Sequence, residues 1–182
     1  MISMVGDSFS MIALPWLVIQ LTDNAFTLGT VMATAAIPRA LFILVGGALA
    51  DRLSPRRVIL DTKVLYLVLV SMLAALVITE TIAMWMIYVF AFLLGSIGAF
   101  AFPAQSAILP QLVEPEELKV ANSLMGGTAQ ICFLVGPALA GGLIVFLSGA
   151  SLSGAAIGTP TDDLQAIGTV LAIDAVTFMV SW

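Results

Sequence analysis

Histidine is absent from the 182 residues, and with it go the commonest general base and the imidazole ligands of most metal sites. Cysteine occurs once, at Cys132, so no disulfide can close within the chain and the redox compartment stays open. Charge is the other scarcity. Asp, Glu, Lys and Arg make up 9% of the residues, against 61% apolar, and the mean hydropathy is +1.15. Soluble domains carry about 25% charge and about 45–50% apolar residues, so this chain could not cover a water-exposed surface. It reads as a polytopic membrane protein. The net charge of −5 is scattered over loops and helix ends, and no basic patch points to nucleic acid. The opening "MISMVGDSFSMIALPW" lacks the basic lead-in of a cleavable signal peptide. Alternating ten-residue patterns are missing too, which argues against membrane strands.

What is present is a series of long apolar runs. A spanning helix needs about 20 mostly apolar residues, and six segments qualify: 1–21, 27–50, 58–79, 82–103, 118–147 and 165–182. The expected fold is an all-α bundle of six transmembrane helices. Loop chemistry separates the segments, in "TDNAF", "DRLSPRR", "TET", "PAQSAILPQLVEPEE" and "SGASLSGAAIGTPTDDLQ". Orientation follows from the six cations, Arg39, Arg52, Arg56, Arg57, Lys63 and Lys119. Four lie in or beside the second connection and Lys119 follows the fourth helix. The opposite loops hold Asp23, Glu80, Asp162 and Asp163 without Lys or Arg. Loops 51–57 and 104–118 are therefore expected in the cytoplasm. In "VEPEELKVAN", Pro115 suits the first position of the fifth helix, with Glu116 and Glu117 facing its positive end. Neither chain end carries a flanking charge that marks a membrane boundary, and 1–182 reads as a fragment truncated at both ends.

Most of the arginines crowd into "GGALADRLSPRR". Gly46 and Gly47 suit close helix approach, Pro55 limits helix continuation, and the arginines can set topology or pair with Asp51 and anionic headgroups. The spacing Gly47-x-Leu49-Ala50-Asp51-Arg52, then Arg56-Arg57, resembles the signature loop of the major facilitator superfamily, G-x-L-a-D-R-x-G-R-R/K. Ser54 and Pro55 depart from it. The resemblance implies a cytoplasmic gate built from Gly47, Asp51, Arg52, Arg56 and Arg57, whose partner lies in a second half. "FPAQSAILPQLVEPEELKVANSL" resembles the macrolide-efflux-like branch of drug:proton antiporters. "CFLVGPALAGG" is similar to the antiporter signature of the fifth helix: Gly136, Pro137 and Gly141 match, while Cys132 and Ala140 replace glycines. Cys132, Gly136 and Ala140 recur every fourth residue, one narrow face for close packing. The membrane-buried arginine of many such antiporters is replaced by Ala91, four residues before Gly95. Coupling through that arginine does not carry over.

Three ionisable residues fall inside apolar segments, where they are costly and commonly functional: Asp7, Arg39 and Asp174. Asp7 and Arg39 lie about 17 and about 15 residues from Asn24, or roughly 22–26 Å below the outer turn at about 1.5 Å per residue. At that shared depth they can pair, or each can snorkel to the headgroups. Asp174 sits near mid-membrane, either as a proton-carrying carboxylate facing a cavity or as a structural hydrogen-bonding group. Gln20 and Gln130 are further cavity candidates.

The reading is a secondary transporter half that exports small amphipathic molecules by alternating access, using a proton gradient and no cofactor. Its partners would be the lipid bilayer, a small-molecule substrate, and a C-terminal six-helix half or a second copy. Its place would be the plasma (bacterial inner) membrane. The alternative is a non-transporting six-helix scaffold or self-pairing half. An enzyme is not expected: without histidine, a serine protease lacks its usual base and a metalloprotease its ligands.

Overall fold

The computed structural model describes residues 2–22, 24–52, 54–147 and 160–180, with side chains described for 10–22, 24–48, 54–146 and 164–179. Every regular element among them is helical: α1 (Ile2–Thr22), α2 (Ala25–Arg52), α3 (Pro55–Ile78), α4 (Met84–Ile108), α5 (Leu118–Leu147) and α6 (Pro160–Val180). Four of them contain stretches long and apolar enough to cross a membrane: Ala25–Ala48, Pro55–Ile78, Met84–Gln111 and Leu118–Phe146. The apolar stretches described in α1 and α6 are shorter, Ser10–Thr22 and Leu164–Met179. Apolar side chains cover the outside as well as the inside. Phe26, Leu44, Leu134 and Phe146 are each exposed by 77% or more, a surface that only hydrocarbon solvates without penalty.

Sequence neighbours are not the main packing partners. The broadest pairing is α2 with α4, followed by α1 with α6 and α3 with α6, whereas α2 and α3 barely touch. The core runs through α1 (Ala13, Leu17), α3 (Val70, Leu73, Val77), α4 (Ile87) and α6 (Ile167, Val170, Leu171). Two glycines set the α2–α4 approach. A Cβ on Gly46 would overlap the carbonyl of Ala99, and one on Gly95 would overlap the carbonyl of Ala35. Each helix thus lends a bare backbone patch to the other, as small residues do in membrane bundles. Gly47, by contrast, has nothing near its missing side chain, so only the first of the two expected glycines closes a helix contact. Phe42 and Phe100 stack across this interface with centroids 6.4 Å apart. Thr30 and Tyr88 join their hydroxyls at 2.6 Å nearer the other end.

Helix ends show where local chemistry decided. Asn24 caps α2, its Oδ1 accepting from the Phe26 N–H at 2.9 Å. Pro55 opens α3 with Ser54 extended before it; proline loses nothing in the first turn, where a backbone N–H has no intrahelical acceptor. α3 closes with the Thr81 N–H on the Leu76 carbonyl and the Glu80 N–H on the Val77 carbonyl, both 3.1 Å. That is the Schellman arrangement, with Glu80 at φ 54° in the left-handed position glycine usually fills. One expected start and one expected end need correction. α5 spans Leu118–Leu147, as the 118–147 segment expects, but Pro115 is not its first position: Pro115 and both glutamates fall in an exposed turn ahead of it. The fourth helix does not stop at 103 but carries Pro103 inside it to Ile108, then a tighter turn at Leu109–Gln111. Membrane helices tolerate such prolines because neighbouring groups re-satisfy the freed carbonyl.

Candidate functional site

A cavity of ≈ 480 Å³ lies among all six helices, bordered by Met11, Arg39, Tyr66, Phe102, Phe133 and Phe178 along with other residues of α3 and α4. It extends from the level of Arg39, midway along α2, toward the end of the bundle that holds the α2–α3 and α4–α5 connections, where Ile59 and Gln105 lie. A volume of this size suits a drug-sized molecule, for which pockets run about 300–1,000 Å³. Its wall mixes aromatic rings with a few polar groups: Arg39 from α2, Thr62, Lys63 and Tyr66 from α3, and Gln105 from α4. The Thr62 hydroxyl already donates within its own helix, to the carbonyls of Val58 and Ile59. Arg39 lies over Gly98, its Nε 3.8 Å from where a Cβ would stand. The missing side chain leaves the arginine stem a shelf on α4.

The bundle also holds a buried carboxylate. The inner stripe of α6 runs Ile167, Val170, Leu171, Asp174, Ala175 and Phe178, helical spacing at which every position should be apolar. Asp174 breaks the stripe and is fully buried. The Ser10 hydroxyl of α1 donates to its Oδ2, bridging 164 residues of sequence. Both members of the bond adjoin the cavity through neighbours. Met11 follows Ser10 in α1, and Phe178 stands one turn beyond Asp174; both line the space. Phe178 stacks on Tyr66 with centroids 4.4 Å apart and an interplanar angle of 26°. Both rings of the pair line the cavity.

The remaining expected residues fall as follows. Arg39 reaches the cavity, while the Asp7 side chain lies outside the described residues, as do those of Asp51 and Arg52. Arg56 and Arg57 are exposed in the first turn of α3. In α5, Gly136 and Ala140 are buried and Cys132 half-buried, so the four-residue stripe does face inward. Pro137 and Gly141 beside it are partly exposed. Gln20 and Gln130 do not line this cavity. Lys63, read from sequence as a topology-setting charge, lies in its wall instead. Ser10 gave no sequence signal, because a hydroxyl in an apolar run is unremarkable until its partner is known.

A chain whose described regular elements are all helical, with membrane-length apolar helices around a partly polar cavity, is an integral, multi-pass membrane protein. The Major Facilitator Superfamily profile matches residues 1–179, and the chain belongs to that family. Among curated proteins it is similar to the Staphyloferrin A transporter of Staphylococcus aureus, 30% identical over 75% of this chain and 35% of the relative. The multidrug efflux pump Tap of Mycolicibacterium fortuitum is 29% identical over 79% of this chain and 36% of its own length. Macrolide efflux protein A of Streptococcus pyogenes is 23% identical over 76% and 34%. The chain thus spans about a third of the length of these relatives. No solved structure is a significant match.

Proposed function

We propose that the chain forms the N-terminal six-helix half of a proton-coupled exporter of small amphipathic molecules. It would work by alternating access against a C-terminal half or a second copy in the bacterial inner membrane, with loops 51–57 and 104–118 cytoplasmic. The observation that carries the proposal is a fully buried Asp174 tied to Ser10, with Met11 beside Ser10 and Phe178 one turn from Asp174 lining a ligand-sized cavity. Relatives described as efflux pumps support it, and the cation-rich α2–α3 connection supports the orientation. The gate residues Gly47, Asp51, Arg52, Arg56 and Arg57 would lock against the other half. Cys132, Gly136, Pro137, Ala140 and Gly141 would hold α5 in close packing.

The coupling step follows from hydrogen-bond chemistry. While Asp174 is ionised, Ser10 donates a charge-assisted bond across the α1–α6 interface. Such bonds are roughly twice as strong as neutral ones. Protonation of the carboxylate replaces that bond with a neutral one and loosens α1 against α6. The Phe178 ring, one turn away, carries the change to the cavity wall. No metal or organic cofactor enters the cycle; the proton gradient is the energy source.

The test is flux in proteoliposomes containing the full-length protein, with an imposed pH gradient and a panel of anionic, neutral and cationic amphipathic dyes. Wild-type protein should move at least one dye against its gradient. Asp174→Asn should still bind that dye but lose gradient-driven movement. Full efflux in the variant removes Asp174 from coupling. No gradient-driven flux of any dye by the wild type removes the transport reading.

A further inference from the structure

We infer that the cavity selects planar aromatic molecules over saturated ones of the same size, holding their rings against Phe102 and Phe133 beside the Tyr66–Phe178 pair. The inference deepens the transport reading and rests on it. Aromatic residues make up 8% of the chain, yet four of the fourteen residues that border the cavity are aromatic. They come from four different helices: Tyr66 from α3, Phe102 from α4, Phe133 from α5 and Phe178 from α6. The ring concentration is therefore a property of the cavity and not of one helix.

The four rings divide into two kinds. Tyr66 and Phe178 already stack on one another at 4.4 Å, which fixes their planes before any ligand arrives. Phe102 and Phe133 have no such companion among the described residues, and they are 58% and 56% exposed. Each keeps uncovered ring surface where it borders the space. A saturated body gains only burial from such a wall. A flat ring adds the attraction of offset-stacked or edge-to-face contact, in which the positive edge of one ring meets the negative face of another. Met11 of α1 brings a thioether to the same cavity, and sulfur also favours aromatic rings. Arg39 contributes from α2. A guanidinium bonds through its edge and stacks through its face, so it can lie on a ligand ring whatever its N–H groups hold.

The test compares 2-methoxynaphthalene with 2-methoxydecalin, two neutral probes of similar size, one flat and aromatic, the other saturated. Neither carries charge or a hydrogen-bond donor, so the charges of the wall do not decide the result. Binding to the full-length protein is measured in phosphatidylcholine nanodiscs, and uptake by empty nanodiscs is subtracted. One ring contact is worth roughly 2- to 12-fold in affinity. Two such contacts predict that the naphthalene binds roughly 5- to 100-fold tighter than the decalin. Phe102→Leu and Phe133→Leu should each lower naphthalene binding by roughly 2- to 12-fold and leave decalin binding unchanged. Both side chains are more than half exposed, so leucine there leaves the core intact. Should one variant fail to fold, the other and the wild-type comparison decide. Equal binding of the two probes, or preference for the decalin, overturns the inference. So do variants that weaken both probes alike, which would mean plain apolar filling, and so does selectivity that survives both substitutions. Gradient-driven flux of dyes without aromatic selectivity would reject the aromatic site and keep the transport reading. Ring-selective binding that both variants reduce, with no flux of any dye, would do the reverse.

Discussion

Adding one methyl group at Gly95 and one at Gly98 should have opposite consequences, although the two glycines stand three residues apart on α4. A Cβ at Gly95 would overlap the Ala35 carbonyl oxygen and lie 2.8 Å from the Ala35 carbonyl carbon and 3.0 Å from its Cα. Carbon atoms rest at about 3.5–4.0 Å, so α2 would have to retreat by roughly 0.7–1 Å. Every atom in the way belongs to backbone, so no rotamer change can absorb the clash. Overpacking of this kind costs about 1–3 kcal/mol, here at the broadest helix pairing in the bundle. At Gly98 the nearest atoms are Nε and Cδ of Arg39, at 3.8 and 3.9 Å, ordinary contact with a flexible side chain. Gly98→Ala should be neutral or gain up to about 1 kcal/mol from helix propensity. Thermal unfolding in detergent micelles, followed by size-exclusion recovery, reads both variants. Gly95→Ala should melt well below wild type and Gly98→Ala at or slightly above it. Equal melting of the two would refute the account of how α2 and α4 meet.

Two further expectations concern other parts of the bundle. Glu80 occupies a left-handed position at φ 54°, which costs a side-chain-bearing residue about 1–2 kcal/mol. Glu80→Gly should therefore raise the melting temperature, while Glu80→Val, β-branched at the same φ, should lower it. Tyr66 and Phe178 stack at 4.4 Å, and a double-mutant cycle to leucine should return a coupling of about 0.5–1.5 kcal/mol. Additive losses would mean that the ring pair does not hold the cavity wall.

The helices were legible because apolar runs interrupted by Asn, Pro and charge leave little choice in a membrane protein. The starts were less so. "EPEE" carries every sign of a helix N-terminus, yet α5 begins at Leu118, since a turn with a carboxylate-rich rim meets the same rules. Asp174 stood out as a charge inside an apolar segment, whereas Ser10 did not, because only the fold joins positions 164 residues apart. Lys63 shows the opposite failure. Its nearness to the arginine-rich connection made topology a sufficient explanation, and only the three-dimensional placement of α3 puts it in the cavity wall. Spacing could nominate the α5 stripe of Cys132, Gly136 and Ala140, but which glycine of the Gly46-Gly47 pair touches another helix depended on the rotation of α2.

The pairing of α1 with α6 also sets a timetable for biogenesis. A chain emerging from the ribosome delivers its N-terminal segments first, so Ser10 reaches the bilayer five helices ahead of Asp174. A lone carboxylate at the centre of an inserting helix costs about 2.5–3.5 kcal/mol. By the time α6 arrives, the hydroxyl that receives it is already embedded, and α3, its other broad partner, is in place. The sixth helix is thus the one that draws the first back into contact. A ribosome paused before Asp174 emerges would leave α1 without the partner that fixes it.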